Sequence, residues 1–259
     1  MTVEEAPRSD HHVRSLARGL SVIRAFGPDR PEQTLSEVAR RTGLSRSGAR
    51  RFLLTLVDLG YVRSDGKVFT LTPKVLDLGY SYLSSLTLPA IAEPHLEQLV
   101  REVRESSSMA VLDGGEVVYV ARVPTSRIMS VDIKVGTRFA AYATSMGRAL
   151  LAHAEPAALR GYLAGLQITR FTDRTVRSAD ELAERLEEVR RLGYAMVAEE
   201  LEEGLISLAV PVRGRDGRVL AAVNVSSLVT RVPAEKVEDL LLPALRRCVD
   251  GIEADLRSG

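Results

Sequence analysis

Seven consecutive residues, Ser45 to Arg51 (SRSGARR), carry two hydroxyls and three guanidinium groups. Displayed along one side of a helix, such groups donate hydrogen bonds to phosphate oxygens and to the base edges of duplex DNA. Ser45, Arg46, Ser47, Arg50 and Arg51 are therefore candidate DNA contacts, with Ser36 at the start of the preceding helix. Arg63 and Lys67, on either side of an Asp-Gly turn, are placed to touch the adjacent phosphates. A second locus is Thr144-Ser145-Met146-Gly147, where a helix start offers backbone N–H groups and Ala140, Ala141 and Ala143 leave room beside the chain. That combination suits a small carboxylate in a partly apolar hollow. Phe139 and Tyr142 can stack on an aromatic ring, and Arg138 or Arg127 can neutralise its carboxylate. The plainer alternatives stand level with these roles: Ser145 as a helix cap, Met146 as core, Arg127 and Arg138 as surface charges.

The elements that must hold the first set are legible in turn. Leu16, Leu20, Val22, Ile23 and Phe26 recur near helical spacing in a helix over 14–26, ended by Gly27-Pro28. Thr34 with Glu37 forms a capping box for a helix over 35–41, and Gly43 releases the chain into a tight turn. Ser45 caps a helix running to about Leu59. Val38, Ala39, Leu44, Ala49 and Phe52 then meet where the two helices cross, which is the pattern of a helix-turn-helix. The segments 61–63 and 68–71 around Asp65-Gly66 predict a two-stranded wing.

From Thr72-Pro73 a linker helix is expected, with Val75, Leu76, Leu78, Gly79, Tyr82 and Leu83 as its apolar stripe, and beyond Pro89 and Pro94 another helix over 95–104. Strands are expected over 108–112, 116–122, 128–135, 205–212 and 218–226, with helices over 144–153, from a cap at Ser178 to Gly193, and from Pro233. The fold class is therefore α+β, with an antiparallel sheet and helices in the second part. The organisation is a disordered N-terminus over 1–13, a DNA-binding domain over 14–72, a linker helix over 73–93 and an effector domain over 94–259.

Composition narrows the function classes. The chain has 259 residues, 45% hydrophobic and 27% charged, with one cysteine and a net charge of +1. Between Arg14 and Lys74, however, 12 basic residues face 5 acidic ones, an excess of +7. A basic first quarter on an acidic remainder points to a polyanion-binding module joined to something else. No run approaches the roughly 20 apolar residues of a membrane span, which places the protein in the cytoplasm. Cys248, alone, excludes an internal disulfide or a cysteine zinc site. There is no G-x-S-x-G elbow, phosphate loop, metal-spaced histidine set or Cys–His pair. No metal or cofactor is expected, and an enzyme carrying a DNA-binding domain is the lesser reading, beside an architectural DNA binder that ignores small molecules.

With these residues in view, the chain resembles the IclR family of bacterial transcriptional regulators. SLARGLSVIRAF, TLSEVARRTGLSRSGARRFLLTLVDLGYV, FTLTPKVLDLGYSYL, YATSMGRALLA and LEEGLISLAVPV occur in the order and spacing of that family. YVARVPTSRIMSVDIKVGTRF and ATSMGRALLA are similar to its β-ketoadipate subgroup, whose members govern aromatic-acid breakdown through the protocatechuate or 4-hydroxybenzoate pathways. The resemblance implies a winged helix-turn-helix, a linker helix and a GAF-like effector domain, assembled as a homodimer or tetramer on a double-stranded DNA operator and sensing a small carboxylate. Matching the family's pocket positions implicates Phe139, Ser145, Met146, Ser207, Asn224 and Ser226. Where relatives often carry an acid this chain has Ala198, followed by Glu199 and Glu200. Glu200 is carried as the candidate, and which acid closes the pocket, if one does, stays open.

Overall fold

The structure is a computed structural model and describes residues 13–27, 29–78, 87–125 and 133–258. The chain divides into two compact units, Met1–Ser85 and Leu86–Gly259.

In the first unit, α1 (Arg14–Arg24), α2 (Leu35–Thr42) and α3 (Arg46–Asp58) enclose Val22, Val38, Ala49, Leu53 and Leu56. The capping box before α2 is complete: Thr34 Oγ1 accepts from the Glu37 amide while the Glu37 carboxylate accepts from the Thr34 amide. α2 stops at Gly43, whose φ of 66° lies in the left-handed region and is cheap only without a side chain. The wing has three strands, not two. β1 (Glu32–Thr34) pairs with β3 (Val68–Leu71), which pairs with β2 (Val62–Ser64). Three residues of EQT carry no strand periodicity of their own, so only pairing with β3 makes them a strand.

A 3-10 turn at Pro73–Leu76 begins the expected linker helix, and half of its stripe, Gly79, Tyr82 and Leu83, lies outside the described residues. The next helix, α4 (Thr87–Val103), starts earlier than expected and runs through Pro94. An interior proline costs about 3 kcal/mol. Burial of Leu88, Ala92, Leu96 and Leu99 offsets it, since a buried leucine is worth about 1.5–3 kcal/mol.

The second unit is built on a six-stranded antiparallel sheet: β4 (Ser106–Asp113), β5 (Glu116–Val123), β6 (Arg138–Ala140), β7 (Ala195–Ala198), β8 (Leu205–Arg213) and β9 (Val219–Leu228), in the order β6-β5-β4-β9-β8-β7. The strand expected over 128–135 is corrected: Ile133 to Val135 are not strand, and 128–132 lie outside the described residues. A turn supervenes, with φ 88° at Gly136 and the Gly136 amide donating to the Tyr119 carbonyl, so β6 pairs only from Arg138.

Alternation along the strands divides two cores. Leu208, Val223 and Met109 face α4 and the long helix α8 (Ala234–Ser258). Ala209, Ala222, Ala110 and Tyr119 face α5 (Ser145–Leu151), α6 (Pro156–Ala164) and α7 (Ala179–Leu192). Covered on both sides, β8 reads as a continuous apolar run. Small side chains on the second face let α5 approach closely, and that face holds the cavity. Neither α6 nor β7 was expected from sequence: α6 has a poorly segregated apolar face and β7 only four residues.

Candidate functional sites

The first site is the outer face of the helix-turn-helix. Ser45 Oγ accepts from the Gly48 amide at 3.1 Å, satisfying an otherwise orphaned N–H of the first turn of α3. The same hydroxyl lies 3.2 Å from that of Ser47. Ala49, Leu53 and Leu56 turn inward, which sends Ser47, Arg50 and Arg51 outward, with Arg46 at the flank. All four are exposed, as are Ser36, Arg63 and Lys67. Among the described residues none of these cations forms an ion pair. On the wing, the Asp65 carboxylate accepts from the amides of Val68 and Lys67, which hold its pKa below the ordinary value and shape the turn that presents Lys67. Lys74 is spent internally: it donates to the Leu59 carbonyl at 2.9 Å and lies 5.2 Å over the Tyr61 ring. Among the described residues, this face is a hydroxyl and guanidinium surface without acidic partners.

The second site is a cavity of about 300 Å³ in the other unit, at the small end of ligand cavities, which run from about 300 to 1,000 Å³. Phe139, Tyr119 and Phe171 give it aromatic walls, with Ile133, Val197, Leu201 and Leu205. Its polar wall is a chain of small groups. The Ser145 hydroxyl is in short contact with that of Ser207, and the Asn224 amide nitrogen donates to Ser207 at 3.3 Å and to Ser226 at 3.0 Å. Asn224 is fixed from behind, its carbonyl oxygen accepting from the Ser108 amide at 3.1 Å.

The helix that brings Ser145 here is capped by Thr144, whose hydroxyl accepts from the Gly147 amide at 3.0 Å. Capping is thus the work of Thr144 and leaves Ser145 for Ser207. Gly147 permits the approach: a Cβ there would lie 2.1 Å from the Ala141 carbonyl oxygen.

Glu200 lines the cavity and is clamped. Its Oε2 accepts from Arg148 Nη2 at 2.6 Å and from the Val176 amide at 3.2 Å. The Arg148 side chain is 3% exposed, and its Nε donates to the Tyr142 carbonyl. The connection 199–204 is tied down by Thr172 and Thr175, whose hydroxyls donate to the carbonyls of Glu199 and Glu200 at 2.6 and 2.7 Å. Glu199 itself sits at φ 58°, a conformation rare for a residue with a side chain.

Several expected pocket residues are elsewhere. Arg138 is a correction: its guanidinium is engaged by Glu116 and Asp113 at 2.7 Å each, on the surface, and those carboxylates raise its pKa. β6 places it opposite Val118, on the face turned from the cavity that Phe139 enters. Met146 is fully buried core. Tyr142 is a strut: its hydroxyl donates to the Thr169 carbonyl and accepts from the Thr169 amide, and its ring stacks on Phe171 at 6.3 Å. It supports a cavity wall without lining the cavity. Arg127 lies outside the described residues.

Sequence reasoning missed Tyr119, Phe171 and Arg148. Tyr119 shares a face with Val117 on an apolar strand and carried no mark beyond that period. Phe171 lies in the connection between α6 and α7, where no pattern exists. Arg148 drew no assignment from the sequence, and the helix that carries it is wholly buried.

Comparison with known proteins supplies the context. The family description "IclR helix-turn-helix domain" matches residues 15–66, and "Bacterial transcriptional regulator IclR C-terminal" matches residues 80–254. The Pca regulon regulatory protein of Pseudomonas putida is 44% identical over 232 residues, covering 89% of this chain and 80% of the relative. A transcriptional regulator from Rhodococcus sp. RHA1 superposes with a TM-score of 0.85 at 53% identity, covering 95% of this chain and 99% of that one. An IclR homologue from Microbacterium hydrocarbonoxydans, complexed with 4-hydroxybenzoate, superposes with a TM-score of 0.83 at 31% identity over 95% of this chain and all of that one.

Proposed function

The chain belongs to the IclR family of bacterial transcriptional regulators, and we propose that its affinity for an operator is set by a small aromatic or dicarboxylic acid held in the second unit's cavity. What carries the reading is the pairing, in one chain, of an arginine face with no ion-pair partner among the described residues and a ligand-sized cavity. The 4-hydroxybenzoate bound by the Microbacterium homologue supports an aromatic acid. Ser36, Ser45, Arg46, Ser47, Arg50 and Arg51 contact the operator, with Arg63 and Lys67 on the flanking phosphates. Phe139, Ser145, Glu200, Ser207, Asn224 and Ser226 surround the acid, whose carboxylate is met by hydroxyls and by N–H groups at the start of α5.

The working unit is a homodimer or a pair of dimers, because one recognition helix reads few base pairs and a two-fold pair doubles the site. Leu16 and Leu20, exposed on α1, offer apolar surface for that pairing. The protein acts in the cytoplasm, where its operator lies. A ligand can change operator affinity only by binding two arrangements of the dimer unequally. Capture beside Ser145 shifts the spacing of the two recognition helices.

Fluorescence anisotropy with promoter fragments from beside the protein's own gene tests this. Arg50→Ala and Arg51→Ala each weaken binding and lower the salt dependence by roughly one phosphate contact. Adding 4-hydroxybenzoate, protocatechuate or adipate moves the wild-type midpoint and leaves the acid chemically unchanged. Binding that survives both substitutions, or a midpoint that no acid moves, rejects the reading; turnover of the acid favours an enzyme.

A further inference from the structure

Two polar groups at the cavity are left without a protein partner among the described residues. The first is Oε1 of Glu200. Its twin Oε2 takes both donors that reach this side chain, Arg148 Nη2 and the Val176 amide. The second is the Tyr119 hydroxyl, on a ring that is 5% exposed and packs edge-on to Phe139 at 5.7 Å. Burial pushes the Tyr119 pKa up to about 12, so the hydroxyl keeps its proton and donates. Neither atom is among the fully enclosed polar atoms that lack a partner, so the cost arises when a ligand covers them in this mostly apolar cavity without offering partners. A ligand that supplies one donor and one acceptor avoids both costs at once.

We propose that Glu200 is the specificity-determining residue of the cavity, accepting a hydrogen bond from a ligand hydroxyl and so selecting hydroxylated aromatic acids over unsubstituted aromatic acids and over dicarboxylates. Arg148 is the positioning residue. By occupying Oε2 from a side chain that is itself 3% exposed, it fixes the carboxylate and turns Oε1 over to the ligand. A second ligand carboxylate would meet the Glu200 carboxylate, a repulsion strengthened by the low dielectric of the site. A methoxy group fills the same space as a hydroxyl but brings no donor. Tyr119 supplies the complementary donor to the ligand's carboxylate. The inference rests on the proposed effector role of this cavity and narrows it to one ligand class.

Isothermal titration of the full-length protein with 4-hydroxybenzoate, 3-hydroxybenzoate, 4-methoxybenzoate, benzoate and adipate tests it. At least one hydroxybenzoate should bind on the order of 10- to 100-fold more tightly than benzoate, 4-methoxybenzoate and adipate, the range for a hydrogen bond to a charged acceptor. In Glu200→Gln, shown by thermal melting to be folded, that preference should fall toward unity. Tyr119→Phe should weaken all the aromatic acids alike and leave the preference standing. Benzoate or adipate binding as well as both hydroxybenzoates to the wild type overturns the proposal while leaving the effector role intact, and that comparison needs no variant to fold. A preference undiminished in folded Glu200→Gln overturns the assignment to Glu200. Failure of every acid in the panel overturns the effector role and this inference with it.

Discussion

Replacing Gly147 by alanine isolates the packing that builds the cavity. The added Cβ would lie 2.1 Å from the Ala141 carbonyl oxygen, 2.5 Å from its Cα and 2.6 Å from its carbonyl carbon. All three are backbone atoms, so no rotamer change relieves the overlap. Ordinary contact needs about 3.5 Å, so either α5 or the 3-10 turn at Ala141–Ala143 must move by more than 1 Å. Overpacking of a well-filled core costs about 1–3 kcal/mol, and a clash with fixed backbone belongs at the top of that range. The shift also strains the Thr144 cap on the Gly147 amide, worth about 1 kcal/mol, and separates Ser145 from Ser207. A loss of about 3–4 kcal/mol lowers the melting temperature of a unit this size by about 6–16 °C. Scanning calorimetry of the full chain with and without 4-hydroxybenzoate reads both consequences: a lower transition and a smaller ligand-induced rise. A transition within 1–2 °C of wild type, with the ligand-induced rise intact, would falsify the packing argument.

Three further outcomes follow from the same geometry. Gly43→Ala should destabilise the first unit by about 1–2 kcal/mol in urea unfolding; nothing lies within 4 Å of the new Cβ, so only its φ of 66° is at issue, and an unchanged midpoint would refute the turn assignment. Arg148→Met alone leaves the half-buried Glu200 carboxylate without its guanidinium and should cost up to about 3 kcal/mol, the low end for a broken buried pair, whereas Arg148→Met with Glu200→Leu should recover most of it; equal melting of the single and double variants would show that the pair is not coupled. At the α2 cap, the Thr34 amide and hydroxyl hold the Glu37 pKa below its model-compound value of 4.5. A depressed carboxylate contributes stability that is present above that value and is lost as pH falls through the lower, folded one. Acid titration of Glu37→Gln, followed by circular dichroism, should lack that part of the acid loss.

The helix-turn-helix was legible because its signals are local. Thr34 with Glu37, Gly43 and Ser45 act on backbone groups within four residues, so spacing alone places two helices and the turn between them. The face of α3 followed from helical period, and Arg46, Arg50 and Arg51 could be sorted from Ala49 and Phe52 before any contact was known. The third wing strand was not legible, since Glu32–Thr34 becomes a strand only by pairing with residues far along the chain.

At the cavity the balance is different. Position along the chain and likeness to a family singled out Ser145, Ser207, Asn224 and Ser226, and a strand period of two put Asn224 and Ser226 on one face. Sequence alone also determined that this chain has a basic module that caps and turns like a DNA reader, since those instructions are written in neighbouring residues. Only the tertiary structure decided which charges are free: Arg138 is claimed by Asp113 and Glu116 across a strand pair, and Arg148 by Glu200 from 52 positions away. Electrostatic partnership falls off over a few ångströms of space, not of sequence, so the roles of Tyr119, Phe171 and Arg148 appear only after folding has brought them together.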